Sequence, residues 1–382
     1  MAKKPHHIVG VRRIRLPGGK PERWRSMSAS FKSDIDAFEN WLRRQCVVVE
    51  DDLEHKHKKM RKNAFVFLRA TYFRWAKQIE ALCPGLKDAP RMLCVGDAHI
   101  ENFGTRRDVE GRLEWGVNDF DEAASMPYAF DLVRLATSAR FTSSRALHGK
   151  EAAVAILDGY RKGLAAPRPT LLDEQETWMR EHVECSDAER ADFWKEVADY
   201  PAANPPNRVK LELKRSFPRG VTDVRYAARV KGSGSLGRPR YVGVATWRGG
   251  HVVREAKAIV SSAWDWAHDK KSSPSRLTKI GAGAFRSPDP YAKVEGGYIY
   301  RRIAADARKV EFDDDASDRL HMDLIRARGF DLAAVHASVR GKAAAIRIDL
   351  QKRRPDWLFV AVQTAAAAVE ADYRSWTTQK TA

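Results

Sequence analysis

Two short acidic clusters joined by a hairpin set the tightest limit on how this chain can fold. Gly96-Asp97-Ala98-His99-Ile100-Glu101-Asn102 and Asn118-Asp119-Phe120-Asp121-Glu122 lie outside two runs, Phe103 to Arg107 and Arg112 to Val117, which flank Asp108-Val109-Glu110-Gly111. A turn signal between two such runs predicts a β-hairpin, and a hairpin brings its end back to its beginning. The clusters are therefore expected side by side. A short apolar strand, Arg91 to Val95, leads into the first of them.

Around this centre the pattern is mostly helical. Residues 1–30 are basic and hold Pro17-Gly18-Gly19, which reads as a loose arm. Helical spacing runs from Phe31 to about Leu53, and His55-Lys56-His57-Lys58-Lys59 reads as a solvated, charge-rich break rather than a metal site. Phe65, Leu68, Tyr72, Trp75 and Ile79 predict one long helix from Asn63 to Leu82, ended by Pro84-Gly85. Ala129 to Arg140 is a helix, and further helices extend to about Tyr200 with a break at Pro167-Arg168-Pro169. The proline-rich 201–207 stretch is the clearest linker. Beyond it come the strands Arg240 to Trp247, His251 to Ile259 and Tyr298 to Ile303, with a turn at Gly249-Gly250. Helical patterns follow at Arg319 to Ser338 and Asp356 to Trp376.

The fold class is thus α+β, and five segments are expected: an arm and helix over 1–54, a helical lobe with the acidic loops over 55–200, a linker over 201–207, a β-rich lobe over 208–310, and C-terminal helices over 311–382 that pack on the helical lobe. No apolar run approaches the roughly 20 residues needed to span a bilayer, and no secretory signal stands at the start. The four cysteines are scattered without CxxC spacing, which points away from a disulfide framework or a zinc site. A soluble, cytoplasmic protein with no membrane partner is the expectation. The net charge of +18 favours anionic partners and disfavours a polycationic substrate.

Phosphoryl transfer needs a carboxylate at the acceptor, oxygen ligands for Mg²⁺, and cations or backbone donors for the phosphates. Asp97 follows a glycine at a strand end, and Asn102 stands five residues on, the spacing of a kinase base and its metal-binding Asn. The hairpin then supplies Asp119, and hard carboxylate and amide oxygens suit Mg²⁺. The bland alternative is loop chemistry, since Asp and Asn are common in turns. His99 is grouped with Asp97 in the catalytic loop; with no second His or Cys at ligand spacing, a role in bracing the loop is preferred to zinc binding. A phosphate cradle is expected in Gly232-Ser233-Gly234-Ser235-Leu236-Gly237, whose glycines let backbone N–H groups approach phosphates. It lies between strand-like segments, as in a kinase glycine-rich loop. Lys257, on the next strand, is the expected phosphate-gripping lysine. Glu295 is the candidate for its acidic partner, with Glu255 as the alternative.

These motifs are similar to those of a known family. Gly-Asp-Ala-His-Ile-Glu-Asn-Phe-Gly at 96–104, Asn-Asp-Phe-Asp-Glu-Ala at 118–123 and Pro127-Tyr-Ala-Phe-Asp131-Leu-Val-Arg134-Leu resemble the bacterial domain-of-unknown-function 2252 family, and looser likeness runs from about 55 to 376. The chain departs from that pattern at Lys257-Ala258-Ile259, where Lys-Glu-Ala is expected, and at Gly297-Tyr298, where Gly-Gln is expected. The family's motifs are in turn similar to those of aminoglycoside phosphotransferases and other protein-kinase-like enzymes. That resemblance implies Asp97 as base, Asn102 and Asp119 as Mg²⁺ ligands with Asp121 as fallback, and Asp131 as the residue that braces the loop.

In an ordinary kinase the glycine-rich loop and lysine precede the catalytic loop; here they follow it by more than 100 residues. The expected architecture is therefore a two-lobed, protein-kinase-like fold in circularly permuted order. Leu332 to Ala337 resembles the helix that usually precedes the catalytic loop. The expected function is a phosphotransferase that uses Mg²⁺ and ATP, or another nucleoside triphosphate, on an anionic or neutral acceptor. The alternatives are a metal-dependent phosphohydrolase, and a non-catalytic nucleotide- or nucleic-acid-binding protein with a degenerate kinase-like fold; nucleic acid is the less favoured partner.

Overall fold

The computed structural model describes residues 30–232, 234–270, 276–309 and 317–378. The arm expected over 1–30 therefore lies outside the described residues except for Ser30, as does Ser233. Helix α1 (Phe31–Gln45) starts at Ser30, whose side chain accepts from Ser33 N, and buries Phe31, Ile35, Phe38 and Leu42 along one stripe. It stops at Cys46, before the β-branched run Val47-Val48-Val49, well short of Leu53.

The expected break at 55–59 is instead the last turns of α2 (Glu50–Met60). Glu50, Asp51 and Asp52 fill its first turn, and His57, Lys58 and Lys59 fill its last. That charge order complements the helix dipole, so the basic cluster stabilises a helix end rather than a loop. His57 faces Glu39 at 2.7 Å. The long helix expected over 63–82 is two helices, α3 (Ala64–Ala70) and α4 (Tyr72–Leu82). Thr71 divides them, with its Oγ1 donating to the Phe67 carbonyl (2.8 Å).

Strand β1 (Arg91–Cys94) leads to the first acidic cluster, and β2 (Phe103–Arg107) pairs antiparallel with β3 (Leu113–Val117), the expected hairpin. β4 (Ala124–Pro127), which the sequence pattern did not reveal, pairs antiparallel with β1. Helix α5 (Tyr128–Arg140), buried at every position but its last, follows, then α6 (Lys150–Ala165) and the two-residue β5 (Thr170–Leu171) beside β3. α7 (Asp187–Asp199) opens on a capping box of Ser186 and Glu189.

The 201–206 stretch holds no helix or strand, and α8 (Asn207–Arg215) begins at the end of the expected linker. Next come β6 (Thr222–Ala228), β7 (Arg240–Trp247) and β8 (Gly250–Ala258), the short α9 (Ala263–Ala267) and α10 (Leu277–Gly281), then β9 (Lys293–Glu295) and β10 (Tyr298–Ile303). The strands form one antiparallel sheet in the order β6-β7-β8-β10-β9. Helices α11 (Asp318–Ala337), α12 (Lys342–Lys352) and α13 (Trp357–Thr378) close the chain.

The molecule is mixed α and β. One large apolar core joins α1, α3–α6 and α11–α13. α13 returns to the first helices: Arg74 donates to Asp372 (2.8 Å) and also pairs with Asp34, and the Phe31 and Trp376 rings lie 5.6 Å apart. The sheet has its own small cores. Val242, Val244 and Val253 pack with Val197 of α7 on one face, and Ala256 and Tyr300 pack with Val209 and Leu213 of α8 on the other. Among the described residues no helix is long and apolar enough to cross a membrane.

Candidate functional site

The hairpin register Phe103↔Val117 sets Asn102 opposite Asn118 and so joins the two acidic loops. Asn102 clasps them. Its Nδ2 donates to the carbonyls of Asp97 (3.0 Å) and Asp119 (2.8 Å), and its Oδ1 accepts from Asp119 N (2.9 Å). One lone pair of Oδ1 is left over for a ligand.

Each loop is braced from below by a buried aspartate. Asp131 on α5 accepts from Val95 N (2.7 Å) and Gly96 N (2.9 Å), and His336 Nε2 lies 3.0 Å from it. Asp331 on α11 accepts from Val117 N (2.7 Å) and pairs with Arg286. Gly96 has φ +85°, and a Cβ there would fall 2.2 Å from the Glu122 carbonyl oxygen. Only glycine lets the first loop pass so close to the second.

Asp97 turns into the cleft with its side chain 15% exposed. Buried Arg134 fixes it, through Nε at 2.9 Å and Nη2 at 2.8 Å from Oδ1. Burial raises the Asp97 carboxyl above its ordinary range, against the opposing pull of Arg134. His99 is nine-tenths buried, with Nε2 3.9 Å from Asp97 Oδ2. Burial, reinforced by the charges of Arg69, Lys309 and Arg134, holds its imidazole well below its ordinary range, so it is neutral.

Across the cleft, Lys257 reaches both aspartates of the second loop, at 2.9 Å from Asp119 Oδ2 and 2.6 Å from Asp121 Oδ2. Burial acts against ionisation of Asp119, but Lys257, a hydrogen bond with Asp121 and the charge of Arg301 together outweigh it and lower the Asp119 carboxyl. Burial and the neighbouring Asp119 charge push Asp121 up to about 6. Arg238 closes the cluster from the sheet side, at 3.4 Å from Asp121 and 3.0 Å from Glu122.

The glycine-rich turn joins β6 to β7, and those two strands pair antiparallel. Gly232 and Gly237 have φ +87° and +93°, and a Cβ on Gly237 would strike Leu53 of α2 at 2.5 Å. Gly234 lies over the first loop: a carbon built on it would stand 3.3 Å from the Arg69 carbonyl and 3.9 Å from Asp97 Oδ2. Ser235 Oγ accepts from Arg240 Nη2 (2.8 Å).

Gly232, Gly234, Ser235, Lys257, Asp97, His99, Asn102, Asp119 and Asp121 thus border one cavity of about 550 Å³. Glu295 does not belong with them. It is exposed at the end of edge strand β9 and pairs with Arg208 at 2.7 Å, just before the Gly296-Gly297 turn. The acid on the lysine's own strand is Glu255, fully buried and two residues from Lys257 on the same face. It binds Arg229 (2.8 Å), Arg240 (3.1 Å) and Arg301 (2.6 Å) rather than pairing with Lys257.

Arg134, Arg238, Glu255 and Arg301 were not read as a set from the sequence. For Arg134 a signal existed, since it stands one helical turn after Asp131 in the same motif. Arg301 had none, because its place follows from its register opposite Glu255.

Residues 48–180 match the model of a family described as uncharacterized proteins conserved in bacteria, DUF2252. The matched stretch contains both acidic loops and Asp131, the brace of the first. No curated protein and no solved structure matches the chain.

Proposed function

We propose that the cleft is a Mg²⁺-nucleotide phosphotransfer site, in a kinase-like fold whose helical lobe and nucleotide lobe stand in permuted chain order. The observation that carries this reading is the meeting of Lys257 with Asp119, 138 residues away in sequence, and with Asp121. A cation for the phosphates and carboxylates for their metal must serve one triphosphate, so they must share one cleft. The antiparallel sheet with a glycine-rich hairpin, set over a helical body, supports the same reading.

The donor set fits Mg²⁺. Asp119, Asp121 and Asn102 offer hard oxygens, and among the described residues the buried Asp121 Oδ1 makes no hydrogen bond. These three residues would hold the ion, which would neutralise charge on the phosphate oxygens. Leu277, Ala282, Pro288, Ile299, Ile303 and Ala307 give the cavity an apolar side that suits a nucleobase.

In the proposed reaction an acceptor hydroxyl next to Asp97 gives its proton to that carboxylate. Its oxygen forms a bond to the γ-phosphorus, the bond to the β-phosphate oxygen breaks, and the nucleoside diphosphate leaves with that electron pair. Asp97 then returns the proton to solvent. Burial raises the Asp97 carboxyl, the direction that favours a base, and Arg134 holds its orientation.

The test is calorimetry with a non-hydrolysable ATP analogue. With Mg²⁺ present, Asp119→Asn should bind about tenfold more weakly than the parent or worse, with an unchanged circular dichroism spectrum. Equal affinity in parent and variant would remove Asp119 from the site. ADP release without any acceptor, at a rate that added hydroxyl compounds leave unchanged, would select phosphohydrolysis instead.

A further inference from the structure

We infer that the acceptor end of the cleft is an anion site, and that the acceptor is a small hydroxylated anion of the phosphate-ester class held by Arg69 and Lys309 beside Asp97. This assignment of an acceptor rests on the phosphotransfer reading; the anion site itself does not.

Arg69 on α3 and Lys309 after β10 share one carboxylate of the first acidic loop. Arg69 Nη1 is 2.5 Å and Lys309 Nζ is 3.8 Å from the same Glu101 oxygen. The Lys309 segment is pinned in place, because Thr105 N donates to the Arg308 carbonyl (2.7 Å) and Gly104 bridges Lys309. With Arg134 behind Asp97, three cations, Arg69, Lys309 and Arg134, stand beside Asp97 and Glu101 among the described residues at this end of the cavity.

Two buried polar atoms here make no hydrogen bond among the described residues, Arg69 Nε and His99 Nδ1. Both residues line the cavity. Arg69 Nε is a donor, and a buried donor left unpaired is costly; a ligand that accepts from it removes the cost. A guanidinium edge beside a second cation suits a phosphate or carboxylate oxygen.

The same geometry disfavours a cationic acceptor. An amine would need a carboxylate of its own, yet Asp97 is held by Arg134 and Glu101 by Arg69. The wider lining agrees: among the described residues that border the cavity, eleven are Lys or Arg and six are Asp or Glu.

The probe is inorganic phosphate, titrated calorimetrically at constant ionic strength into the full chain. Titrations are run with and without saturating Mg²⁺ and the non-hydrolysable ATP analogue. The parent should bind phosphate alongside the nucleotide. Arg69→Gln should weaken phosphate about tenfold and Lys309→Gln by a smaller factor, while the analogue's affinity stays within about twofold. Lys309 is 40% exposed, so its variant remains informative if Arg69→Gln fails to fold. Absence of saturable phosphate binding in the parent, or parental affinity in both variants, would overturn the anion site. Should phosphate binding depend on Arg69 while the analogue fails to bind with Mg²⁺, the phosphotransfer reading falls and the anion site stands.

Discussion

The helical wall of the cleft carries Asp97, Asp119, Asp121 and Glu122 on loops, whereas the sheet wall carries Arg240, Lys257 and Arg301 on paired strands. Strands place side chains by register. Arg240 lies opposite Lys257, and Arg301 opposite Glu255, so one face holds all four. Loops have no such rule, and the acidic wall depends on buried props from elsewhere: Asp131, Asp331 and the Asn102 clasp. The basic wall is thus stiff, and its charge is moderated by Glu255. The acidic wall is assembled, and its charge is met by Lys257 and Arg238 from across the gap. Neither wall is electrostatically complete alone.

The sharpest way to break this arrangement is to remove Lys257. Its side chain is 2% exposed, and its loss leaves Asp119 and Asp121 as like charges facing each other. Lys257→Met should cost about 3–5 kcal/mol of stability, the range for a buried pair that loses one partner, read from urea denaturation. Adding Asp121→Asn should restore part of it, because the two sites are in contact. An unchanged denaturation midpoint in the single variant would show that the walls do not depend on each other.

Asp97 tests the acidic wall for chemistry rather than stability. Asp97→Asn can keep the Arg134 contact through its amide oxygen but loses the carboxylate proposed as the base. Turnover, followed as ADP release with a panel of hydroxylated phosphate esters, should fall about 10²-fold while nucleotide affinity holds. Release at the parental rate would return the loop to a structural role.

How much of this could be read from the chain differs between the walls in the same way. The acidic loops were legible because a hairpin between them leaves one outcome for their neighbourhood. β7, β8 and β10 were legible from alternation and the Gly249-Gly250 turn. β4 was not, since four residues ending in proline carry no period and the strand exists through its pairing with β1. The 55–59 cluster misled because its charges were read as solvated. Their position at a helix C-terminus, which gives them their role, depends on where α2 begins. Glu295 misled for a similar reason: the sequence offers a glutamate near the lysine strand, but only the sheet order shows that β9 lies at the outer edge. Arginines such as Arg301 carry no local signal among 68 Lys and Arg residues, and the register alone selects them.

Lys56 gives the smallest and most pH-dependent effect. It is a cation on the acidic side of the cleft, on α2, 2% exposed. Burial lowers its ammonium from 10.5 to about 8; Glu39 and Glu122 pull the other way, and Arg238 adds to the lowering. At neutral pH both folded and unfolded chains hold this proton, and the folded chain bears the cost of burying the charge. As pH rises through 8 the folded chain releases it first, while the unfolded chain keeps it to about 10.5. The unfolded state then binds more protons, so the Lys56 contribution to stability rises with pH across that window. Lys56→Met, which keeps an apolar stem of similar length, should therefore be more stable than the parent at pH 7 by on the order of 1–3 kcal/mol. The gap should narrow between about pH 8 and 10, where the parent sheds its buried charge. Urea denaturation of both proteins at several pH values gives the difference, from which other titrating groups cancel. A gap that stays constant with pH would mean that Lys56 keeps a solvated or paired ammonium, and that the acidic wall is better hydrated at this end than its burial indicates.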